Sequence, residues 1–303
     1  MKALSSADTW DINPFLSSRT TLFQSLSSIQ HSGLMYLPLV RQDSYGTYEL
    51  ITGNRCVEIA NALHPQETLF CRVLDTNIAA AQLLAILHAE HSLRGSLTII
   101  EQAHFVRLAC EHLGESEQYE LFNQIGMTGT NQYALDRLLQ LLDLETPLQA
   151  ALYNGFLQEN MARELLRLKK DDRQTFYGLI VKLGFGGGKQ KRLLSLLKDL
   201  AGRNGVSFRM YLEQEYIRDI LEHEEMNIPQ KGQVLLQQLQ QHHSPALSAA
   251  EEQFLNWKQH LDLPQNCTLN HSPSFEQDEV SLTVRFRDRR TLEAFLAKIR
   301  ENH

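Results

Sequence analysis

The chain has 303 residues, of which 43% are hydrophobic and 21% charged, as expected for a globular protein of about two domains. Its formal net charge of −7 excludes a protein that coats nucleic acid through overall basicity, but not one with a local basic face. The four cysteines form no C-x-x-C pair, so we expect a reduced, intracellular protein without a zinc knuckle or a disulfide framework. No apolar run of about 18 residues is present, and residues 1–10 lack the apolar core of a secretory signal.

The first part of the chain has the pattern of strands around one helix. An apolar run at 34–40 and strand-type residues at 47–51 flank Tyr45-Gly46, which predicts a hairpin. A helix is predicted to open at 53–56 and continue through Leu63, followed by a third strand at 69–74. The chain therefore begins with an α+β fold.

Helical periodicity follows from Asn77 to about Leu221. Residues 222–245 are rich in Glu, Gln and His, and we predict a linker with some helix there. A small α/β unit comes next, and its predicted elements are a helix at 249–261, strands at 267–269 and 280–286, and a helix at 291–300. So small a unit buries little apolar surface alone, and we infer that it dimerises.

A helix–turn–helix pattern lies in the helical part. A predicted helix at 117–124 and a turn at 125–127 precede a predicted helix at 128–142. In such motifs the second helix enters the major groove of DNA, and its N-terminal side chains face the base edges. The alternative is an ordinary helical hairpin, since two helices joined at a glycine are common.

Positive charge is concentrated between residues 161 and 210. This segment has twelve lysines and arginines against four acids, so it carries +8 and the rest of the chain −15. A phosphate-facing surface in an acidic protein has this asymmetry, whereas the alternative is a solvated helix face. The DNA-binding residues predicted from both features are Thr128, Thr130, Asn131, Gln132, Arg137, Arg163, Lys189, Lys191 and Arg192.

A glycine-rich stretch at 184–188 lies inside the basic segment. It does not match a P-loop, because Gln190 stands where Ser or Thr would bind magnesium. We predict a flexible turn that presents Lys189, Lys191 and Arg192 at a helix start, where backbone N–H groups can also meet a phosphate.

A second phosphate-type pattern pairs residues 53–56, Gly-Asn-Arg-Cys, with residues 90–94, Glu-His-Ser-Leu-Arg. A glycine before a helix lets a phosphate approach the backbone, and arginine adds charge. A glutamate on a neighbouring helix could hold Mg²⁺. The alternative is a plain helix cap.

The order of these segments resembles the ParB family of chromosome and plasmid partition proteins. Residues 53–56 are similar to its Gly-Glu-Arg-Arg motif and residues 90–94 to its Glu-Asn-x-x-Arg motif. Further matching stretches are 28–34, 38–41, 48–52, 97–103, 135–142 and 154–166, the last being similar to a Gly-His-Ala-Arg-Ala-Leu-Leu motif. The resemblance covers residues 22–300.

The resemblance implies three domains and a linker. These are an α+β ParB/sulfiredoxin-like nucleotide-binding domain (1–95), an all-α helix–turn–helix domain (96–221), a linker (222–245) and a small α/β dimerisation domain (246–303). It implies a cytoplasmic, nucleoid-associated bacterial homodimer that binds a palindromic site in double-stranded DNA, without a membrane partner.

The resemblance also implies CTP and Mg²⁺ as cofactors of a DNA clamp that hydrolyses CTP to CDP. Glu90 would be the catalytic residue and the Mg²⁺ ligand. The implied nucleotide-binding residues are Gly53, Asn54, Arg55, Cys56, His91 and Arg94.

Two positions depart from the family motifs. Cys56 replaces the second arginine and His91 the asparagine, and a neutral thiol cannot supply the bidentate charge of a guanidinium. Residues 1–10 also lack the basic, glycine-rich peptide that would contact a ParA-type ATPase. We therefore expect a divergent member with a weakened or lost CTPase. A nucleotide-independent repressor or adaptor and a nucleotide-using enzyme of the same superfamily remain alternatives.

Overall fold

The computed structural model describes most of the chain in two compact units, Met1–Arg173 and Gln174–His303. The described residues are 4–5, 10, 12, 14–15, 37–42, 46–63, 68–93, 95–127, 131–261, 263–264, 266–272 and 279–301. The division falls after Arg173, inside the region expected to be a single helical domain at 96–221. The residues beyond it make most of their contacts with the helices that follow them.

A four-stranded sheet opens the first unit, in the order β1-β3-β2-β4. The strands are β1 (Leu4–Ser5), β2 (Leu39–Gln42), β3 (Tyr48–Thr52) and β4 (Arg72–Leu74). β2 and β3 form the predicted antiparallel pair, whereas β1 lies parallel to β3 and was not predicted. β2 begins later than the predicted strand at 34–40, directly after Pro38, which has no N–H to donate to a ladder; residues 34–36 lie outside the described part.

Seven helices of the first unit lie wholly before Arg173 within the described ranges. They are α1 (Asn54–Leu63), α2 (Ala80–Ser92), α3 (Ile99–His112), α4 (Glu115–Gln124), α5 (Gln132–Leu139), α6 (Thr146–Tyr153) and α7 (Glu159–Leu166), with a 3₁₀ turn at Gln140–Asp143. α3 is central, since it packs on α2, α5 and α6 and buries Phe105 and Leu108 completely. It begins at a capping box in which Thr98 and Glu101 bond each other's backbone N–H groups.

Trp10 connects the sheet of the first unit with α3. Its ring is buried and stacks on His112 at a centroid distance of 4.4 Å, and its Nε1 donates to Glu49 Oε1 at 2.7 Å. Arg41 pairs with the same glutamate at 2.6 Å. Trp10, between β1 and β2, therefore contributes to the core.

The remaining helices begin with α8, which crosses the division between the units. They are α8 (Lys170–Lys182), α9 (Gly187–Asn204), α10 (Phe208–Leu212), α11 (Glu215–Glu222), α12 (Ile228–His243), α13 (Pro245–His260) and α14 (Arg289–Glu301). α7 ends at Leu166 and α8 begins at Lys170, so a short break divides the helical periodicity there.

Most of the predicted linker at 222–245, where some helix was expected, is the packed helix α12. Leu235, Leu236 and Leu239 are buried against α9 and α11, and an Asn227–Gln230 capping box starts the helix. Gly232 lies so close to Phe185 that a Cβ there would be 2.5 Å from the ring atom Cε1. The apolar period of α12 thus outweighs its polar composition.

The joint between α12 and α13 is held to α9. His243 Nε2 lies 3.1 Å from Asp199 Oδ2, and its Nδ1 lies 2.7 Å from Ser244 Oγ. Arg203 Nη1 donates to the His243 carbonyl at 2.9 Å. Pro245 then occupies the first position of α13, where its missing N–H costs nothing.

The C-terminal part pairs β5 (Cys267–His271) with β6 (Val280–Val284) in an antiparallel hairpin, followed by α14. These elements agree with the predicted order of helix, strand, strand and helix. Several of their large apolar side chains are exposed: Leu255, Trp257 and Leu261 on or just after α13, Val280 and Leu282 on β6, and Leu292, Phe295 and Leu296 on α14. Within the described ranges, every helix is too short or too polar to span a lipid bilayer.

Candidate nucleic-acid interface

The helix–turn–helix consists of α4, a turn at Gly126, and α5. Gly126 has φ +82°, a backbone conformation that favours glycine, and it reverses the chain after α4. The predicted second helix at 128–142 is too long at both ends. α5 begins at Gln132 because the Asn131 side chain caps it by accepting from Ala134 N at 2.9 Å, and its last residues form the 3₁₀ turn.

The predicted base-reading residues are placed as follows. Asn131 uses its side-chain oxygen for the cap, and Gln132 Nε2 donates to Asp136 Oδ1 at 2.8 Å, one turn along α5. Arg137 is exposed on α5 and lies over the Tyr133 ring at 5.7 Å. Thr128 and Thr130 lie outside the described residues.

A groove of about 680 Å³ lies along α5. The 3₁₀ turn and helices α7 and α8 complete it. Its lining residues are Tyr133, Arg137, Gln140, Asp143, Arg163, Leu166, Arg167 and Arg173. Four arginines and one aspartate line the groove, and three of the arginines pair with glutamates next to it.

The four arginines differ in how the protein holds them. The Arg167 side chain is 73% exposed and pairs with Glu164 at 2.7 Å, the kind of surface pair that is easily exchanged. Arg163 and Arg173 are fixed by contacts with other residues of the chain. Arg163 pairs with Glu159 and donates to the Arg137 carbonyl, and Arg173 pairs with Glu145 at 2.9 Å with both side chains only 13% exposed.

Arg173 favours the charged form of Glu145. Burial alone would raise the pKa of its carboxyl, but the hydrogen bonds from Arg173 and the backbone, with the charges of Arg173 and Lys170, lower it overall. Arg173 also donates to the Leu168 carbonyl at 3.2 Å. The Glu145–Arg173 pair therefore links the start of α6 to the first turn of α8.

The other predicted DNA-binding residues lie in the second unit, at the start of α9. Gly186 caps this helix, and Lys189, Lys191 and Arg192 are exposed in its first two turns. Lys189 Nζ lies over the Phe185 ring at 5.6 Å. The predicted positive segment thus divides between the two units.

The predicted nucleotide-binding residues belong to the starts and ends of two helices of the first unit. Gly53 has φ +92° at the start of α1, and a Cβ there would be 2.8 Å from the Pro38 Cα. Packing of the chain therefore requires this glycine whether or not a phosphate binds. Asn54 and Cys56 follow in the first turn of α1, and α2 ends with Glu90 and His91 in its last turn. The Arg55 side chain and Arg94 lie outside the described part.

The described residues suit the phosphate groups of the implied nucleotide, but they do not provide a ligand set for the implied Mg²⁺. The first N–H groups of α1, next to a residue without a side chain, suit a phosphate oxygen. The described stretches contain no group of three His, Cys, Asp or Glu side chains that could hold a metal ion. The Mg²⁺ role of Glu90 stays a prediction.

Sequence reasoning missed Tyr133, Gln140, Arg167 and Arg173 as residues of the groove. Tyr133 and Arg137 are four residues apart on a helix, a spacing that brings side chains together and could have been used. The approach of α7 and α8 to α5 could not be inferred from spacing, because it depends on tertiary packing.

Comparison with known proteins agrees with this helix–turn–helix. The family model described as the ParB HTH domain matches residues 95–187. A nucleoid occlusion protein of Oceanobacillus iheyensis is 29% identical over 173 residues, which cover 54% of this chain and 57% of the relative. The chain thus matches little more than half the length of that relative.

Two solved structures are also similar. A C-terminally truncated chromosome-partitioning protein ParB of Caulobacter crescentus, complexed to the centromeric parS site, is 20% identical and covers 60% of this chain and 91% of its own, with a TM-score of 0.27. The same protein complexed with CTP-γ-S is 18% identical, covers 56% and 84%, and has a TM-score of 0.20. Residues 95–187 therefore form a ParB-type helix–turn–helix domain, and over about half its length the chain is similar to a nucleoid occlusion protein.

Proposed function

We propose that this protein binds a specific site in double-stranded DNA through α5 and the groove beside it, as part of chromosome or plasmid partition. The observation that carries the proposal is the groove lined by four arginines on the second helix of the ParB HTH domain, of which Arg137 and Arg167 are exposed. Arginine forks suit phosphate oxygens and guanine edges, and exposed Tyr133 and Gln140 add contacts that distinguish bases.

Assembly as a homodimer is part of this proposal. The exposed apolar side chains on α13, β6 and α14 form the kind of surface that a second copy of the chain would cover. A two-fold dimer presents two α5 helices, which suits a palindromic site with two half-sites.

A selection experiment tests the DNA proposal. Duplexes enriched by the full-length protein from a randomised 30-bp library should contain a palindrome, and binding of the enriched duplex should weaken steeply with salt. Arg137→Gln should weaken binding of the enriched duplex about tenfold or more. Arg289→Gln, which removes an exposed arginine paired on α14, should change it little. No enrichment over the input library would refute the proposal.

CTP gating of the DNA interaction is a second candidate function. The glycine turn before α1 supports it, because a phosphate can approach the N–H groups there. CTP with Mg²⁺ would bind through this helix start, while Cys56 and His91 weaken the site relative to the family motifs. When bound, the nucleotide would supply a triphosphate whose charge Arg55 and Arg94 would offset.

Calorimetry with CTP and Mg²⁺ on the wild type and on Cys56→Arg tests the gating. Binding by the wild type, with slow release of CDP, would support a clamp that keeps its CTPase. Binding only by Cys56→Arg would support a DNA-binding protein that has lost its switch. Turnover of CTP or ATP without DNA would instead favour a nucleotide-using enzyme.

A further inference from the structure

Arg163 contacts the end of α5 at the point where its helical hydrogen bonding changes. The Gln140 N–H donates to the carbonyls of Asp136 and Leu138, and the chain then continues as a 3₁₀ turn. Arg163 Nη1 donates to the carbonyl between them, that of Arg137, at 2.9 Å. A side chain 26 residues further along the chain thus completes the end of the DNA-reading helix.

The rest of the Arg163 guanidinium is held by one carboxylate. Its Nε and Nη2 donate to Glu159 Oε1 at 2.8 and 2.7 Å, one turn back along α7. The Arg163 side chain is only 18% exposed. Since a guanidinium is a rigid fork, the carboxylate on one side fixes the direction of the donor on the other.

Arg167, four residues later on the same face of the groove, provides the contrast. It reaches no carbonyl of α5 among its described contacts, and its single pair with Glu164 is open to solvent. A phosphate could replace that pair at little cost, because exposed ion pairs contribute little. At Arg163 a phosphate would have to displace two contacts of a side chain that is only 18% exposed, whereas Arg167 is 73% exposed.

We propose that Arg163 is a positioning residue, which sets the end of α5 and thereby the placement of Arg137 and Tyr133, and that Arg167 makes the phosphate contact. The proposal rests on the proposed DNA function. It replaces the expectation that Arg163 itself contacts DNA, and it assigns Glu159 to the same task.

Charge-conserving variants separate the two roles. Lysine keeps a positive charge for a phosphate but cannot bond the Glu159 carboxylate and the Arg137 carbonyl with one fork. Arg163→Lys should therefore reduce the affinity ratio between the enriched duplex and a scrambled duplex about tenfold, with the salt slope unchanged. Arg167→Lys should keep both, and Arg167→Gln should lower the salt slope by about one.

Glu159→Gln gives a second variant in case Arg163→Lys folds poorly. Removing an acid beside a phosphate-binding arginine would tighten binding to both duplexes and preserve their ratio. If Arg163 is a positioning residue, the ratio should instead fall, because the fork loses its anchor. Melting curves of both variants fix a temperature at which each is fully folded for the binding measurements.

Amide hydrogen exchange gives a readout without DNA. Arg163→Lys and Glu159→Gln should both speed exchange in the segment 138–143, and Arg167→Lys should not. Wild-type ratios near one for enriched and scrambled duplexes would overturn the DNA function while leaving the exchange result valid. Unchanged exchange, or a ratio kept by Arg163→Lys, would overturn the positioning role.

Discussion

Both ring nitrogens of His104 on α3 are buried in the first unit. Burial and the nearby Arg107 lower its pKa to about 4, outweighing Gln149 and Glu101, which favour the charged form. A histidine that stays neutral when folded resists protonation, whereas the unfolded chain takes up a proton near the ordinary value of 6.5. The contribution of neutral His104 to the free energy of unfolding is therefore fully present above pH 6.5 and is lost as the pH drops towards 4.

Replacing His104 should remove this pH dependence. Between pH 7 and pH 4 the wild type should lose about 3 kcal/mol of unfolding free energy through this residue, and His104→Leu should lose correspondingly less over the same range. Urea unfolding at several pH values measures it, with exposed His260→Gln as the control. Parallel stability curves for wild type and His104→Leu would contradict the assignment.

Gly53 and Gly155 offer a matched pair of substitutions. Both have positive φ, but a Cβ at Gly155 meets nothing within 4 Å, whereas one at Gly53 meets the Pro38 backbone. Gly155→Ala should cost about 1 kcal/mol for its backbone alone, and Gly53→Ala about 2 to 3 kcal/mol. Thermal unfolding of both variants measures the difference, and equal costs would show that the Pro38 contact is soft.

Sequence alone identified Gly53 as a special residue, but for a different reason. A glycine before a helix predicts a phosphate approach, and the close contact with Pro38 depends on how β2 lies against the end of β3. Arg163 was likewise predicted as a DNA contact, because its packing contacts could not be foreseen. Its charge and its four-residue spacing from Glu159 are visible in the sequence, whereas its bond to the Arg137 carbonyl becomes apparent only when α7 lies against α5.

At the scale of elements, the contact between α12 and Phe185 leaves no room for a side chain at Gly232. Phe185 is buried, so its ring has little room to move away from a new methyl group at Gly232. Gly232→Ala should destabilise the protein by about 2 kcal/mol through overpacking, despite the better helix propensity of alanine.

Gly202→Ala is the control for this prediction. Gly202 is exposed on α9, and a Cβ there meets nothing within 4 Å. This substitution should stabilise the protein by about 0.5 kcal/mol, so the two alanines are expected to have opposite signs. Denaturant midpoints test both, and a stabilising Gly232→Ala would show that α12 shifts freely on α9.

Elements were predictable where their signals are local. The β2–β3 hairpin, α1 and the C-terminal helix–strand–strand–helix order follow from periodicity and turn residues. The length and packing of α12 were not predicted, because its Gln and His content outweighed the spacing of Leu235, Leu236 and Leu239 and the capping box before them. The extra strand β1 has only two residues, too few for any periodicity to show.

At the scale of the whole molecule, the exposed apolar surface of the C-terminal part predicts the oligomeric state. Leu282→Glu on β6 should convert a dimer to a monomer, because a buried, unpaired charge would oppose association. Loss of the second DNA-reading helix should then weaken binding to a palindromic duplex about a hundredfold. Mass photometry and DNA titration test this.

The matched control places the same charge on an exposed apolar residue outside that surface. Val181→Glu on α8 meets this requirement, since Val181 is exposed in the described structure. It should leave the mass unchanged. A monomeric wild type, or a dimer that survives Leu282→Glu, would contradict the dimer assignment.

The contacts at His243 and Ser244 fix the direction in which α13 leaves α12, and so the rotation of the elements that follow around the α13 axis. With α12 packed on α9 and α13 starting at the next residue but one, α13 turns each following residue by about 100° around its axis. One residue inserted in α13 would rotate the hairpin and α14 by that angle, whereas a seven-residue insertion would nearly restore their direction. If two copies associate there, their association should depend on insertion length with the helical repeat rather than weaken gradually.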